Sequence, residues 1–282
     1  AKVDIPYMME LTGKTEEEVT EELTGVIFKN PLTDKWEPSD EYLSGNVREK
    51  LNIARNFAEN HPEYMVNVQA LERVQPKDLD ASEIEARLGA TWISPEYITE
   101  FMAETFHTPR QHINYERIKV QYAEVTGQWN VKGKNVDSSN NPLSTATYGT
   151  QRANAYRLLE DALNLRDTKI YDTIHDADGE HRVLNRKETT LAQQKQELIR
   201  EEFKEWIFKD MSRRETLCKI YNERFNSVRP REYDGSHIQF VGMNPEIKLM
   251  EHQKNAVAHI LYGNNTLLAH CVGAGKTFQM IA

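Results

Sequence analysis

Apolar positions in the first third of the chain recur every three or four residues, which is the spacing of one buried helix face. In "GKTEEEVTEELTG", Thr15 stands where a helix cap is expected, and glutamates fill the first turn. "SDEYLSGNVREKLNIARNFAEN" repeats this scheme with Ser39 as the cap, and "EYMVNVQALERV" continues it. We therefore predict a helical region over residues 1–75, which ends where Pro76 interrupts the periodicity.

The middle of the chain mixes two periods and predicts an α+β region over residues 76–188. "ASEIEARLG" and "SPEYITEFMAETFH" predict helices, the second with Ser94 as its cap and Pro95 in its first turn. "ERIKVQYAEVTGQWNVKGK" alternates apolar and polar residues, which predicts a β-hairpin. "YGTQRANAYRLLEDALNL" returns to a helix, and "KIYDTIHDADGEHRVLN" predicts a second strand pair that turns at Asp178-Gly179.

The last third begins with a long amphipathic helix over residues 189–228, with a kink expected near residues 210–212. Residues 229–248 are rich in turn formers and predict a linker. Residues 249–282 predict a helix, a short buried strand and a glycine-rich turn that opens another helix. The predicted fold class is α+β and mostly α-helical.

Composition narrows the range of functions. The 282 residues are 39% hydrophobic and 28% charged, which indicates a globular protein, and the net charge of −9 disfavours a nucleic-acid-binding face spread over the whole surface. Cys218 and Cys271 are too few for a disulfide framework, which favours a reducing, cytoplasmic setting. No membrane span or signal peptide is expected. Because the sequence also lacks an initiator methionine, we expect it to be a segment of a longer polypeptide.

The clearest chemistry lies in "NTLLAHCVGAGKTFQMIA", residues 265–282. In a glycine-rich turn between a strand and a helix, successive backbone N–H groups converge on phosphate oxygens. A lysine such as Lys276 then reaches the β and γ phosphates, and a hydroxyl such as that of Thr277 binds Mg²⁺. The pattern predicts that ATP and Mg²⁺ are cofactors of the full-length protein, and it makes no firm cofactor prediction for this segment alone. The residues predicted to bind ATP in the full-length protein are Gly273, Ala274, Gly275, Lys276 and Thr277.

His270 stands where the strict phosphate-loop pattern has its first glycine. Superfamily 2 helicases commonly relax that position, and "LLAHCVGAGKT" resembles their first motif, especially that of the Snf-type remodelling ATPases. "IKLMEHQKNAVAHIL" places Gln253 on a predicted helix 23 positions before Lys276, which is similar to the upstream glutamine motif of that superfamily. The resemblance implies that Gln253 reads the edge of the adenine base, and that residues 249–282 are a truncated start of a recombinase-like α/β lobe.

Three further stretches, "EYLSGNVREKL", "RLGATWISPEYITEFMAETF" and "YNERFNSVRPREYDGSH", resemble the central region of large bacterial proteins of phages and conjugative elements. In these proteins an adenine-specific DNA methyltransferase part precedes a Snf-like helicase part. The resemblance implies that most of this chain connects the two, with DNA and both flanking domains as partners. No N-P-P-Y-type tetrapeptide occurs, so methyl transfer is not expected in this segment. No catalytic site is complete in it, and the segment alone is expected to be inactive.

Several other side chains are candidates for binding DNA, although each also has a structural interpretation. The arginines could hold the DNA backbone or pair with nearby glutamates, and the tryptophan could stack on bases or join the core. Trp92 is expected in the core. Histidines near the C-terminus lack carboxylate or cysteine partners at ligand spacing, which disfavours a separate metal site. The candidate DNA contacts are Arg213, Arg214, Arg229, Arg231 and Trp129.

A second class of function stays open at this point. The acidic helices of residues 1–75 and the long helix could form a non-catalytic scaffold that binds protein partners. In that case the terminal glycine-rich loop would be present only because of where the segment ends, and it would have no function in this segment. A DNA-positioning segment should bind DNA weakly at low salt and lose affinity as salt rises. A scaffold should show no such affinity. A P-loop kinase is disfavoured, because Gln253 and the long N-terminal extension have no place in one.

Overall fold

A computed structural model describes residues 3–137, 141–176, 179–244, 246–263 and 265–282. Within these residues the protein is mostly helical and contains four two-stranded antiparallel sheets, which confirms the predicted α+β class. The chain forms two compact units. The first comprises Ala1–Asp78 with Phe225–Ala282, and the second comprises Leu79–Arg224.

The first unit begins with two helices joined by a tight turn, followed by a β-hairpin. Gly13 ends the first helix in the left-handed conformation, with φ of +70°. Thr15 Oγ1 accepts the Glu18 N–H at 3.3 Å, and Glu18 Oε2 accepts the Thr15 N–H at 2.9 Å. This reciprocal cap confirms the helix start predicted at Thr15. The elements are α1 (Ile5–Thr12), α2 (Glu16–Glu22), β1 (Ile27–Lys29) and β2 (Trp36–Pro38).

The prediction of a single helix from Ser39 is wrong, because the helical conformation is interrupted at Gly45. Gly45 has φ of +74° and pairs in a short strand instead of continuing a helix. A new helix then starts behind Asn46, whose side chain accepts the Glu49 N–H at 3.1 Å. Ser39 is the first residue of a single helical turn rather than a cap. These elements are α3 (Ser39–Tyr42), β3 (Gly45–Asn46), α4 (Val47–Ala58) and α5 (Met65–Arg73).

The second unit is built around one aromatic-rich core to which helices and a hairpin contribute. Both predicted strand pairs are present, although the turn expected at Asp178 lies outside the described residues. The long helix is broken where a kink was expected, between Ile207 and Met211. The elements of the second unit are α6 (Pro95–Thr105), α7 (Arg110–Asn114), β4 (Lys119–Ala123), β5 (Gln128–Lys132), α8 (Ala155–Leu163), β6 (Tyr171–Asp176), β7 (Gly179–Leu184), α9 (Arg186–Ile207) and α10 (Met211–Phe225).

The helix predicted at "ASEIEARLG" is wrong. Residues 81–89 are irregular, and Ile84, Ala86 and Leu88 are buried while the residues between them are exposed. This alternation is the period of an extended segment, in which every second side chain points the same way. Burial of alternate residues against the core therefore outweighs helix propensity here.

The C-terminal part of the first unit contains β8 (Val228–Arg229), which pairs with β3, and then α11 (Glu251–Tyr262) and α12 (Lys276–Ile281). The buried strand predicted before the glycine-rich turn is wrong: residues 265–272 form no strand, and Leu267 and Val272 are almost completely exposed. A parallel strand needs neighbouring strands to satisfy its backbone, and the described residues supply none there. Across the part of the chain that the structure describes, no helix combines the length and apolarity that crossing a membrane requires.

Candidate nucleotide-binding loop

Two glycines shape the loop between residues 272 and 276. Gly273 has φ of +90° and Gly275 has φ of +76°, both in the region that L side chains rarely adopt. The space around Gly273 is open, whereas a Cβ at Gly275 would collide with the side-chain amide nitrogen of Gln253. Backbone conformation thus favours glycine at both positions, and close packing adds a second requirement at Gly275.

Lys276 begins α12, and its ammonium group folds back over the loop. Its Nζ donates to the carbonyl oxygen of His270 at 2.9 Å and to that of Cys271 at 3.0 Å. Thr277 is exposed in the first turn of the same helix. Neutral carbonyl acceptors therefore hold the lysine charge beside the glycines, and Lys276 forms no ion pair with any carboxylate of the described residues. An anion could compete for this charge.

Gln253 joins the predicted adenine-reading helix to the loop. It is 7% exposed in the first turn of α11, where its Oε1 accepts the Met250 N–H at 2.9 Å. Its Nε2 donates to the carbonyl oxygen of Ala274 at 3.1 Å. Two motifs that are far apart in the sequence are thus in direct contact, and both functional atoms of the amide are occupied by the protein itself.

Two histidines flank this contact. His252 Nε2 lies 3.1 Å from the same Ala274 oxygen, and His270 Nδ1 lies within 3.2 Å of the amide of Gln279. The two imidazole rings meet edge to face at 5.8 Å. Among the described residues, no group of three or more histidine, cysteine or acidic side chains is arranged to hold a metal ion. His252 thus contacts the loop from α11, and His270 contacts α12 through Gln279.

A cavity of about 360 Å³ lies beside the loop, between α11 and residues 267–270. One wall is the ring of Tyr233, which stacks on His259 with 4.3 Å between centroids and 17° between planes. This volume falls within the usual range for small-ligand pockets. The sequence predicts no role for the stacked pair, because the two residues lie in separate stretches of the chain and nothing in either stretch indicates that they are in contact.

The structure places two of the candidate DNA contacts inside the second unit. Arg213 is 7% exposed and donates to the carbonyl oxygens of Ile207 and Trp206, at 2.9 Å each. Trp129 is 4% exposed and packs against Tyr122 with 4.9 Å between ring centroids. Arg213 satisfies the last carbonyls of α9, a role that its place just beyond the helix end could have suggested.

The other candidate arginines are mostly engaged with the protein. Arg231 Nε donates to Asp40 Oδ2 at 2.8 Å, and Arg229 Nη2 lies 3.2 Å from Glu232 Oε2. Arg214 is exposed and forms no ion pair with the residues that the structure describes. Trp92, which was expected in the core, is half-buried and packs against the core of the second unit. Its ring meets that of Tyr221 edge to face, with 5.3 Å between centroids.

Comparison with known families gives two matches. Residues 1–37 match the family described as a probable helicase, winged helix domain, so this segment is similar to a part of helicases. Residues 87–227, which are half of the chain, match the family described as a domain of unknown function, DUF8437. No curated protein and no solved structure matches the chain. The chain belongs to the DUF8437 family.

Proposed function

We propose that this chain is a connecting segment of an ATP-driven, Snf-like superfamily 2 helicase linked to a DNA methyltransferase, and that its C-terminal loop binds the ATP of that motor. The contact between Gln253 and the carbonyl of Ala274 carries the proposal. A chance glycine-lysine turn has no reason to pack against a buried glutamine, whereas a nucleotide site needs a base-reading group beside its phosphate loop.

In this proposal the backbone N–H groups from Gly273 onward face the phosphates, and Lys276 leaves the carbonyls of His270 and Cys271 to neutralise phosphate charge. Thr277 supplies its hydroxyl to the Mg²⁺ that accompanies ATP. Gln253 exchanges the Ala274 oxygen for the adenine edge. The remaining groups of the motor would come from further sequence of the same polypeptide, as the resemblance implies.

The charge of the N-terminal region limits where DNA could bind. Residues 1–37 contain nine acidic and four basic residues, and α2 has five exposed glutamates among its seven residues. In a helix-turn-helix the second helix enters the major groove, where these carboxylates would meet phosphate repulsion. The proposed DNA contact therefore excludes α2 and also the buried Arg213 and Trp129. It keeps the exposed Arg214.

Titration of a fluorescent ATP analogue with Mg²⁺ into the intact polypeptide tests the proposal. Lys276→Ala should weaken binding at least about tenfold, because one charge-assisted phosphate contact is worth roughly 1.5–3 kcal/mol. Lys248→Ala removes the same charge from an exposed position outside the loop and should leave binding unchanged. Equal binding by the Lys276→Ala protein and the wild type, or full DNA-stimulated ATPase activity in that variant, would overturn the proposal.

The acidic character of residues 1–37 favours a second candidate, a non-catalytic scaffold that binds proteins. The two candidates differ in their affinity for DNA. A DNA-positioning segment binds a labelled duplex at low salt and loses affinity as salt rises, because bound phosphates release counterions. An absence of duplex binding at low salt, together with an absence of nucleotide binding, would select the scaffold.

A further inference from the structure

A groove of about 840 Å³ lies in the second unit, between α6, residues 143–148 and the C-terminal end of α9. Acidic side chains dominate its lining, with only one lysine and one arginine to balance them. The phosphate loop and its helix are not part of this groove, so its role is separate from the function proposed above. The acidic residues that line it are Glu100, Glu104, Glu202, Glu205 and Asp210.

Aromatic rings form part of the groove wall. Trp206 is 8% exposed, and its indole Nε1–H donates to Glu104 Oε2 at 2.6 Å. Tyr148 is half-buried and packs against the buried ring of Phe106 at 5.3 Å. The indole is thus held rigidly with a carboxylate fixed at its edge, and a second flat ring lies in the same groove.

The protein's own Arg213 shows which chemistry this wall accepts. Its guanidinium carbon lies 3.6 Å from the centroid of the Trp206 ring, and its Nη1 is 3.5 Å from Glu100 Oε2. Planar guanidinium groups stack on aromatic faces and pair with carboxylates, whereas an ammonium group behaves as a point charge. One guanidinium is therefore already held against this wall by an indole face and a carboxylate.

Other carboxylates of the groove have no such partner. Among the residues that the structure describes, neither Glu202 nor Glu205 forms an ion pair, and Glu202 is half-buried. Burial, with a further contribution from the charge of Glu202, raises the pKa of the Tyr148 hydroxyl above its usual value. Partly desolvated negative charge next to aromatic rings is relieved by a cation and repels phosphate.

We propose that this groove docks arginine side chains of a basic segment of a protein partner. The volume exceeds one side chain, so it accommodates a short stretch of peptide. Glu202 and Glu205 would pair with incoming guanidinium groups, and the exposed ring surface of Tyr148 would receive their planar faces. The acidic lining disfavours DNA at this site, and the flat rings favour guanidinium over a flexible polyamine.

A labelled peptide of alternating arginine and glycine, titrated into the full chain by fluorescence anisotropy, tests this inference. We expect Glu202→Gln combined with Glu205→Gln to weaken binding at least about tenfold, because two carboxylate partners are lost. Glu201→Gln combined with Glu215→Gln changes the net charge equally at exposed positions that do not line the groove, and should leave binding intact. A matching lysine peptide should bind several-fold more weakly, since its ammonium groups do not stack.

Four outcomes would overturn the inference. The first is an arginine peptide that does not bind, and the second is equal weakening by both double variants, which would indicate attraction to net charge alone. The third is equal affinity for the arginine and lysine peptides. The fourth is displacement of the peptide by spermidine at matched charge concentration, which would assign the groove to polyamines. Loss of nucleotide binding in Lys276→Ala would leave all four readouts unaffected, so the two proposals fail independently.

Discussion

Replacing Arg213 with alanine distinguishes a structural role for this residue from a role in DNA binding. The side chain donates two hydrogen bonds of 2.9 Å to carbonyls at the end of α9 and stacks on Trp206 at 3.6 Å. A hydrogen bond to a charged group contributes roughly 1.5–3 kcal/mol, and a desolvated cation–π contact about 1–2 kcal/mol. Because these terms overlap, we expect Arg213→Ala to lower the free energy of unfolding by about 3–5 kcal/mol.

Urea denaturation followed by tryptophan fluorescence measures this change. Three of the four tryptophans, Trp92, Trp129 and Trp206, lie in the second unit, so the signal reports mainly on that unit. With a slope of about 2 kcal/mol per molar urea, the midpoint should fall by about 2 M. Arg213→Lys should also be destabilised, because an ammonium group cannot reproduce the planar contacts of the guanidinium.

The exposed neighbour Arg214 provides the matched control. Arg214→Ala removes the same charge one position away and should change the unfolding free energy by less than about 0.5 kcal/mol. If Arg213→Ala were equally mild, the buried contacts would contribute nothing and the structural role would be refuted. A stable Arg213→Ala protein that lost duplex affinity would instead return this residue to the DNA-binding surface.

Three further predictions concern single contacts. Gly275→Ala should displace Gln253 and weaken binding of the ATP analogue in the intact polypeptide, since the added Cβ meets the amide and φ is positive; unchanged binding would contradict this packing. Thr15→Ala should lower the free energy of unfolding of the first unit by about 1 kcal/mol, because the helix cap is lost. Thermal melting measures this change, with Thr20→Ala as the control. Hydrogen bonds from Arg152 and Asn185 lower the pKa of Asp172 in the folded protein. The ionised carboxylate therefore stabilises the base of the β6–β7 hairpin above about pH 4, and this stabilisation is lost as the pH falls through the lowered pKa of the folded state. Asp172→Asn should abolish that pH dependence in amide exchange of the hairpin; a dependence that persists would assign it to another group.

Local signals in the sequence were enough to predict many of the elements. The reciprocal cap at Thr15, the alternation that forms β4 and β5, and the positions of Gly273 and Gly275 each depend on residues within a few positions of one another. Hydrogen bonds across one helix turn, side-chain alternation and the freedom of glycine at positive φ act over that range. Such features hold whatever the rest of the chain does.

Features that depend on distant residues could be decided only by the tertiary structure. The irregular course of residues 81–89 follows from alternate burial against the core, and residues 265–272 form no strand because no neighbouring strand pairs with them. Likewise, the positions of Arg213 inside the second unit and of Gln253 against Ala274 result from chain segments meeting in space. The sequence by itself thus determined local features such as the cap at Thr15, the alternation of β4 and β5, and the turns at Gly273 and Gly275. Burial and pairing are properties of the packed chain, and only packing decided which side chains face the core, the loop or the solvent.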